Sequence, residues 1–241
     1  MALYDISTMR FKVRDFVKSL AFSGSAGQVT LGTTNPFTGS FYISAYVLWR
    51  GANGNFHTII AKRDSYAANG LVFSMAINTS GVLTMDTVTS FVSWGYTFPY
   101  AKWTHMLWSH NTTANTDDLY INGILSSSQG IATLGTKTDA LISIGSNQAT
   151  PQDFFFGNLD NFVIASGIPT ADQAMTIYKR ASYPGTVWGH YKFDEGSGTS
   201  ALNSEGIGPT GVISGATYSS DVICKGRTAA GVRQVVTRPV I

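Results

Sequence analysis

From residue 19 onward, short runs of alternating apolar and polar residues recur about every ten positions, separated by turn formers. This rhythm constrains the fold more than any other feature, because short strands at that spacing build a sandwich or a barrel. Phe41-Tyr-Ile-Ser-Ala-Tyr-Val-Leu-Trp49 puts Phe41, Ile43, Ala45, Val47 and Trp49 on one face and Tyr42, Ser44, Tyr46 and Leu48 on the other. Further strands are predicted at 57–61, 71–77, 82–85, 103–110, 118–126, 140–145 and 157–164. Asn122-Gly123 is the strongest hairpin signal, and Asn78-Thr-Ser-Gly81 reads as another turn. Only 170–180 reads as a helix, with Thr170 as N-cap, Asp172 in the first turn, Lys179-Arg180 in the last, and Ala174, Ile177 and Tyr178 as its apolar face.

Composition agrees with a packed all-β chain. Of 241 residues, 44% are hydrophobic and only 12% charged, against about 25% charged in an ordinary soluble domain. Surface polarity therefore rests on Ser, Thr, Asn and Gly. The net charge of +2 gives no reason to expect nucleic acid. After Asp221 the charges are all basic (Lys225, Arg227, Arg233, Arg238). Such a tail either meets phosphate or an acidic protein surface, or is simply solvated. The single cysteine, Cys224, excludes an intrachain disulfide. No apolar run approaches ~18 residues, so no membrane helix is expected. The opening residues lack a basic region followed by an apolar one, so no secretory signal is expected either.

Several segments together resemble the laminin G-like, concanavalin A-like jelly rolls. They are Leu20-Ala-Phe-Ser-Gly24, Phe41-Tyr-Ile-Ser-Ala-Tyr-Val47, Lys102-Trp-Thr-His-Met-Leu107, Leu119-Tyr-Ile-Asn-Gly-Ile-Leu125, Leu141-Ile-Ser-Ile-Gly145 and Phe156-Gly-Asn-Leu-Asp-Asn-Phe-Val-Ile164. The resemblance implies an antiparallel two-sheet sandwich. Trp103 would pack between sheets about 10 Å apart, and His105 would be structural. Gly189-His-Tyr-Lys-Phe193 and Gly211-Val-Ile-Ser-Gly-Ala-Thr-Tyr218 resemble segments that open such domains, yet here they follow the body. The chain therefore reads as a circular permutant, or as a module lending its opening strands to a neighbour. The expected organisation is an N-terminal arm (1–18), a jelly roll (19–221) and a basic C-terminal arm (222–241). The jelly roll comprises a body (19–181) and displaced strands (188–220).

Candidate sites are sparse. Enzymes of this fold class use a glutamate-x-aspartate-x-glutamate run, which is missing here. Asp117-Asp118 and Asp194-Glu195 are adjacent pairs that point to opposite faces of a strand. No catalytic residues are expected. Trp94, Tyr96, Phe98 and Tyr100 stand two apart. They form either a stacking platform for sugar rings or the inner face of a sheet. Asn147 and Gln148, in a polar loop, would add hydrogen bonds. The resemblance also implies a structural calcium at Asp160, although Ser23 stands where its second aspartate is expected, and calcium needs six to eight oxygens.

A disulfide-free, charge-poor sandwich with a displaced opening segment and no secretion signal is similar to virion proteins of tailed bacteriophages. The leading expectation is a non-catalytic decoration or fibre subunit, made in the host cytoplasm and present in the virion as a homo-oligomer or multi-copy assembly. It would contact other capsid or tail subunits through its terminal arms, with weak glycan binding. The alternative is a bacterial carbohydrate-binding module, and behind it a polysaccharide-active enzyme.

Overall fold

The computed structural model describes residues 18–65, 67–147 and 152–223. The arms expected at 1–18 and 222–241 lie outside that range except for Lys18, Val222 and Ile223, and Gln148 lies outside it too. In chain order the strands are β1 (Ser19–Ser23), β2 (Gln28–Thr30), β3 (Phe41–Trp49), β4 (His57–Arg63), β5 (Leu71–Ile77), β6 (Val82–Thr87), β7 (Phe91–Thr97) and β8 (Trp103–Asn111). They continue as β9 (Thr116–Ile121), β10 (Ile124–Gly130), β11 (Ile142–Ile144) and β12 (Phe156–Ser166), followed by helix α1 (Ala171–Tyr178). After the helix come β13 (Val187–Tyr191), β14 (Ser200–Ala201), β15 (Gly211–Ser214) and β16 (Thr217–Ser219).

All pairings are antiparallel, in two eight-stranded sheets. The first sheet has the order β10-β9-β8-β3-β12-β1-β16, with β13 also on β12. The second runs β14-β15-β2-β11-β4-β5-β6-β7. The alternation of β3 works as its sequence predicts: Phe41, Ile43, Ala45, Val47 and Trp49 enter the core between the sheets. Trp108 anchors that core, fully buried, with the rings of Phe41 and Phe73 edge-on at 5.1 Å each. Phe73 comes from the second sheet, so these contacts tie the two layers together.

One expected core residue sits elsewhere. In β8 the inward set is Met106 and Trp108, so the odd-numbered Trp103 faces out and is only half-buried. His105 shares that outer face. There Tyr42, Leu107, Tyr120, Val163 and Ala165 form a second, smaller core under α1, which buries Ala174 and Ile177 against them. The helix starts with a full capping box: Gln173 N donates to the Thr170 hydroxyl (3.3 Å) and Thr170 N to Gln173 Oε1 (2.8 Å).

Strand β12 joins the halves of the molecule. Its first half pairs with β1 (Leu20 opposite Leu159) and its second with β13 (Phe162 opposite Tyr191). Leu159, Phe162 and Ile164 all reach the core. That spacing breaks period two, and a bulge after Asp160, with Asn161 at φ 47°, restores the alternation. Gly157 holds φ 144° where any Cβ would strike the Leu48 carbonyl. The late segment then completes both sheets. β16 pairs with β1, β15 pairs with β2, and Trp188, Tyr191, Phe193, Ala201 and Ile213 enter the main core.

Candidate functional site

The outer face of the second sheet carries a depression that follows from its alternation. Phe73, Met75 and Ile77 of β5 point into the core, as do Leu83 and Met85 of β6. Ser74, Ala76, Thr84 and Asp86 therefore point outward. Strand register aligns them in two neighbouring rows. Thr58 faces Ala76, which faces Thr84; Ser74 faces Asp86, which faces Phe91. Small residues in the middle and larger ones around them leave a cavity of about 210 Å3, rimmed by Phe56, Phe91, Arg63, Asn147 and Asp153.

The rim is held by local bonds. Thr58 N donates to Asp153 O (2.9 Å), and Asn147 N to Gln152 O (2.9 Å), which ties Asn147, Gln152 and Asp153 to the start of β4. The Phe56 and Phe91 rings meet edge to face at 6.1 Å, with Phe91 exposed. Arg63 Nε donates to Ser65 O (2.9 Å) and Nη1 to Asp86 Oδ2 (3.0 Å). The Thr84 hydroxyl donates to Ala76 O (3.0 Å). Two groups stand apart: Thr58 Oγ1 and Asn147 Oδ1 are buried without a hydrogen-bond partner. Buried polar atoms are nearly always paired, and these two belong to residues that line one cavity. The lining supplies donors, acceptors and ring faces, and no histidine or cysteine.

The aromatic stripe resolves to its inward reading. Trp94 and Phe98 are core residues, 3% and 1% exposed, and Tyr96 packs half-buried on the same cluster with its ring edge-on to Phe98 at 5.2 Å. Trp94 and Phe98 therefore present no open ring face to a sugar. Tyr100 is exposed, but beyond the end of β7, where its ring covers Gly51. Of the loop pair, Asn147 does reach the cavity. Thr58, Arg63, Asp86, Phe56 and Phe91 were not expected from the sequence. Thr58 and Arg63 lie on β4, Asp86 on β6 and Phe91 on β7, and only the outward parity of β6 gave Asp86 a signal.

Asp160 lies on the opposite side of the molecule, buried beneath the end of α1. Arg180 Nη2 stands 3.9 Å from its carboxylate, and the same guanidinium lies over the Tyr46 ring at 4.6 Å. Neither carboxylate oxygen has a hydrogen-bond partner. Burial pushes the Asp160 pKa up to about 7, with Arg180 opposing. The calcium implied for this residue does not fit. A cation already flanks the carboxylate, the Ser23 hydroxyl donates to Ala26 O (3.0 Å), and no group of three His, Cys, Asp or Glu side chains converges among the described residues. Nearby, His105 Nε2 meets the Ser44 hydroxyl at 2.8 Å, and burial, aided by the charge of Arg180, pushes its pKa down to about 3. His190 hydrogen-bonds Asn161 (2.9 Å), and burial lowers it to about 4. These are neutral, structural imidazoles.

Comparison with solved structures supports the architecture. A protein of Bacteroides ovatus ATCC 8483 to which carbohydrate binding has been ascribed superposes with a TM-score of 0.63 at 16% identity, over 85% of this chain; the chain spans 60% of that protein's length. Domain 4 of AbnA, an arabinanase of Geobacillus stearothermophilus solved with arabinotriose, gives 0.51 at 18% identity, over 66% of this chain and 76% of that one. The CBM40 of the Ruminococcus gnavus IT-sialidase, bound to α2,3-sialyllactose, gives 0.51 at 11% identity, over 68% and 99%. At such identities the likeness is one of fold. Comparison with curated proteins finds no match. Residues 23–174, more than half of the sequence, match the family described as the concanavalin A-like lectin/glucanases superfamily, and the chain belongs to that family.

Proposed function

We propose that this protein is a non-catalytic carbohydrate-binding module whose sugar site is the groove over Thr58, Asp86 and Phe91. The observation that carries this reading is a cavity walled by Phe56 and the exposed ring of Phe91, with the Asp86 carboxylate open to it and two lining residues, Thr58 and Asn147, holding polar atoms without a partner among the described residues. A sugar ring presents both an apolar face and a circle of hydroxyls, and such a lining meets both. The sugars named for two of the structural relatives, arabinotriose and sialyllactose, support the same use of the sandwich. Of the two carboxylates in the lining, Asp86 is held in an ion pair with Arg63, which suits a binding role better than that of a free acid or base in glycoside hydrolysis.

The cavity is smaller than the roughly 300–1,000 Å3 of sites for drug-sized ligands, so it holds about one ring. A dozen heavy atoms at roughly 0.3 kcal/mol each give about 4 kcal/mol, a dissociation constant near 1 mM. Binding that weak favours multi-copy display, where avidity adds factors of about 10²–10⁴. A second reading supplies that multi-copy display by making the module a repeated subunit of a virus particle. Electron microscopy of native particles carrying the chain tests it. For the sugar site, the full chain and Phe91→Ala are compared on a glycan array. Retention by the first and loss by the second, at equal melting temperature, is expected. No retention by the first rejects the reading.

A further inference from the structure

We infer that the groove selects neutral sugar rings and rejects acidic ones. The inference rests on reading the groove as the sugar site and adds the chemical class of its ligand. Three charged residues line the cavity: Arg63, Asp86 and Asp153. What matters is which of them faces the ligand. The Arg63 side chain is 5% exposed, with Nε donating to Ser65 O and Nη1 to Asp86 Oδ2. Asp86, its partner, is 39% exposed. The cation is therefore the buried half of the pair and the carboxylate the half that a ligand meets. Asp153 adds a second acid to the rim.

An ionised carboxylate only accepts hydrogen bonds, at about four lone-pair positions. Arg63 Nη1 takes one of them, which leaves Asp86 able to accept from ring hydroxyls. A lining whose exposed charge is a carboxylate pairs with hydroxyls and opposes a ligand carboxylate, which has no proton to offer and carries the same charge as Asp86. Recognition of an acidic sugar calls for the reverse arrangement, an exposed guanidinium in fork geometry.

The test uses the full chain and matched methyl glycosides: galactose against galacturonic acid, and glucose against glucuronic acid. Each is titrated by NMR at low and at high salt. At least tenfold tighter binding of the neutral member is expected. The gap should narrow as salt rises from about 0.01 to 1 M, because the Debye length falls from about 30 to 3 Å. Asp86→Asn, checked for an unchanged fold by circular dichroism, should weaken the neutral ring and shrink the gap. Equal or tighter binding of the uronic acids, lost in Phe91→Ala, overturns the inference and leaves the sugar site standing. No binding of any ring, or binding indifferent to Phe91→Ala, rejects the sugar site and the inference with it.

Discussion

Replacing Thr58 by valine should make the protein more stable and a poorer binder. The Thr58 hydroxyl is buried without a partner, and such a group costs roughly 1–3 kcal/mol. Valine fills the same volume, suits a strand at least as well, and removes that cost. A gain of about 1 kcal/mol is expected, or about 2–4 °C in melting temperature for a chain of this size. The neighbouring row supplies the control. Thr84 has the same side chain and equal burial, but its hydroxyl donates to Ala76 O at 3.0 Å. Thr84→Val should therefore lose about 1 kcal/mol, so that the two variants melt about 4–8 °C apart. Differential scanning calorimetry measures the gap, and the NMR titration should show Thr58→Val binding about tenfold more weakly, the equivalent of one lost hydrogen bond. Residues kept for ligands commonly trade stability for function in this way. If Thr58→Val is as destabilising as Thr84→Val, its hydroxyl is already satisfied in solution, and the argument that it marks a ligand site is refuted.

Truncation after Ser182 should give an insoluble or non-cooperative product by urea melt, since it strips partners from β1, β2 and half of β12 and leaves open edges. Trp108→Ala should cost about 3–5 kcal/mol in denaturant unfolding and the half-exposed Trp103→Ala distinctly less; equal losses would contradict the assignment of Trp103 to the outer face. His105, held near 3 when folded, contributes stability that is fully present above its unfolded value of about 6.5 and is lost as pH falls toward 3. His105→Gln should therefore flatten the acid limb of the stability curve below pH 6. Asp160 works in the opposite sense. With its pKa raised to about 7, its contribution is complete below about 4 and is lost as pH rises through 7, so Asp160→Asn should stabilise at pH 8 relative to pH 4.

Much of this was legible in the chain because period two is a strong signal wherever one face is buried. The strands β3 to β6, β8 and β9, the Asn122-Gly123 turn with both residues at positive φ, and the Thr170 cap all follow from local chemistry. Trp103 shows where a motif misleads. Its position in a familiar strand suggested the core, yet parity with Met106 and Trp108 sends it outward. Arg180 shows what a single chain position conceals. Its sequence position suggested a cation in the last turn of the helix, but the helix ends at Tyr178, and at φ 55° the chain turns Arg180 back over Tyr46 and beside Asp160.

The aromatic run after Phe91 carried its own answer. Its alternate set, Ser93, Gly95 and Thr97, is small and polar, so in a half-buried strand the aromatics Trp94 and Tyr96 had to turn inward. The proposed ligand face then falls to the opposite parity, led by Phe91. Parity alone does not yield the site, however. Thr58, Ala76 and Thr84 come together only through the pairing of β4, β5 and β6, and Asn147 reaches them only because Asp153 is tied to Thr58 N. Each of these residues is ordinary in its own strand. What makes them a candidate site is that the register stacks the short ones in one place, leaving a hollow rimmed by larger side chains.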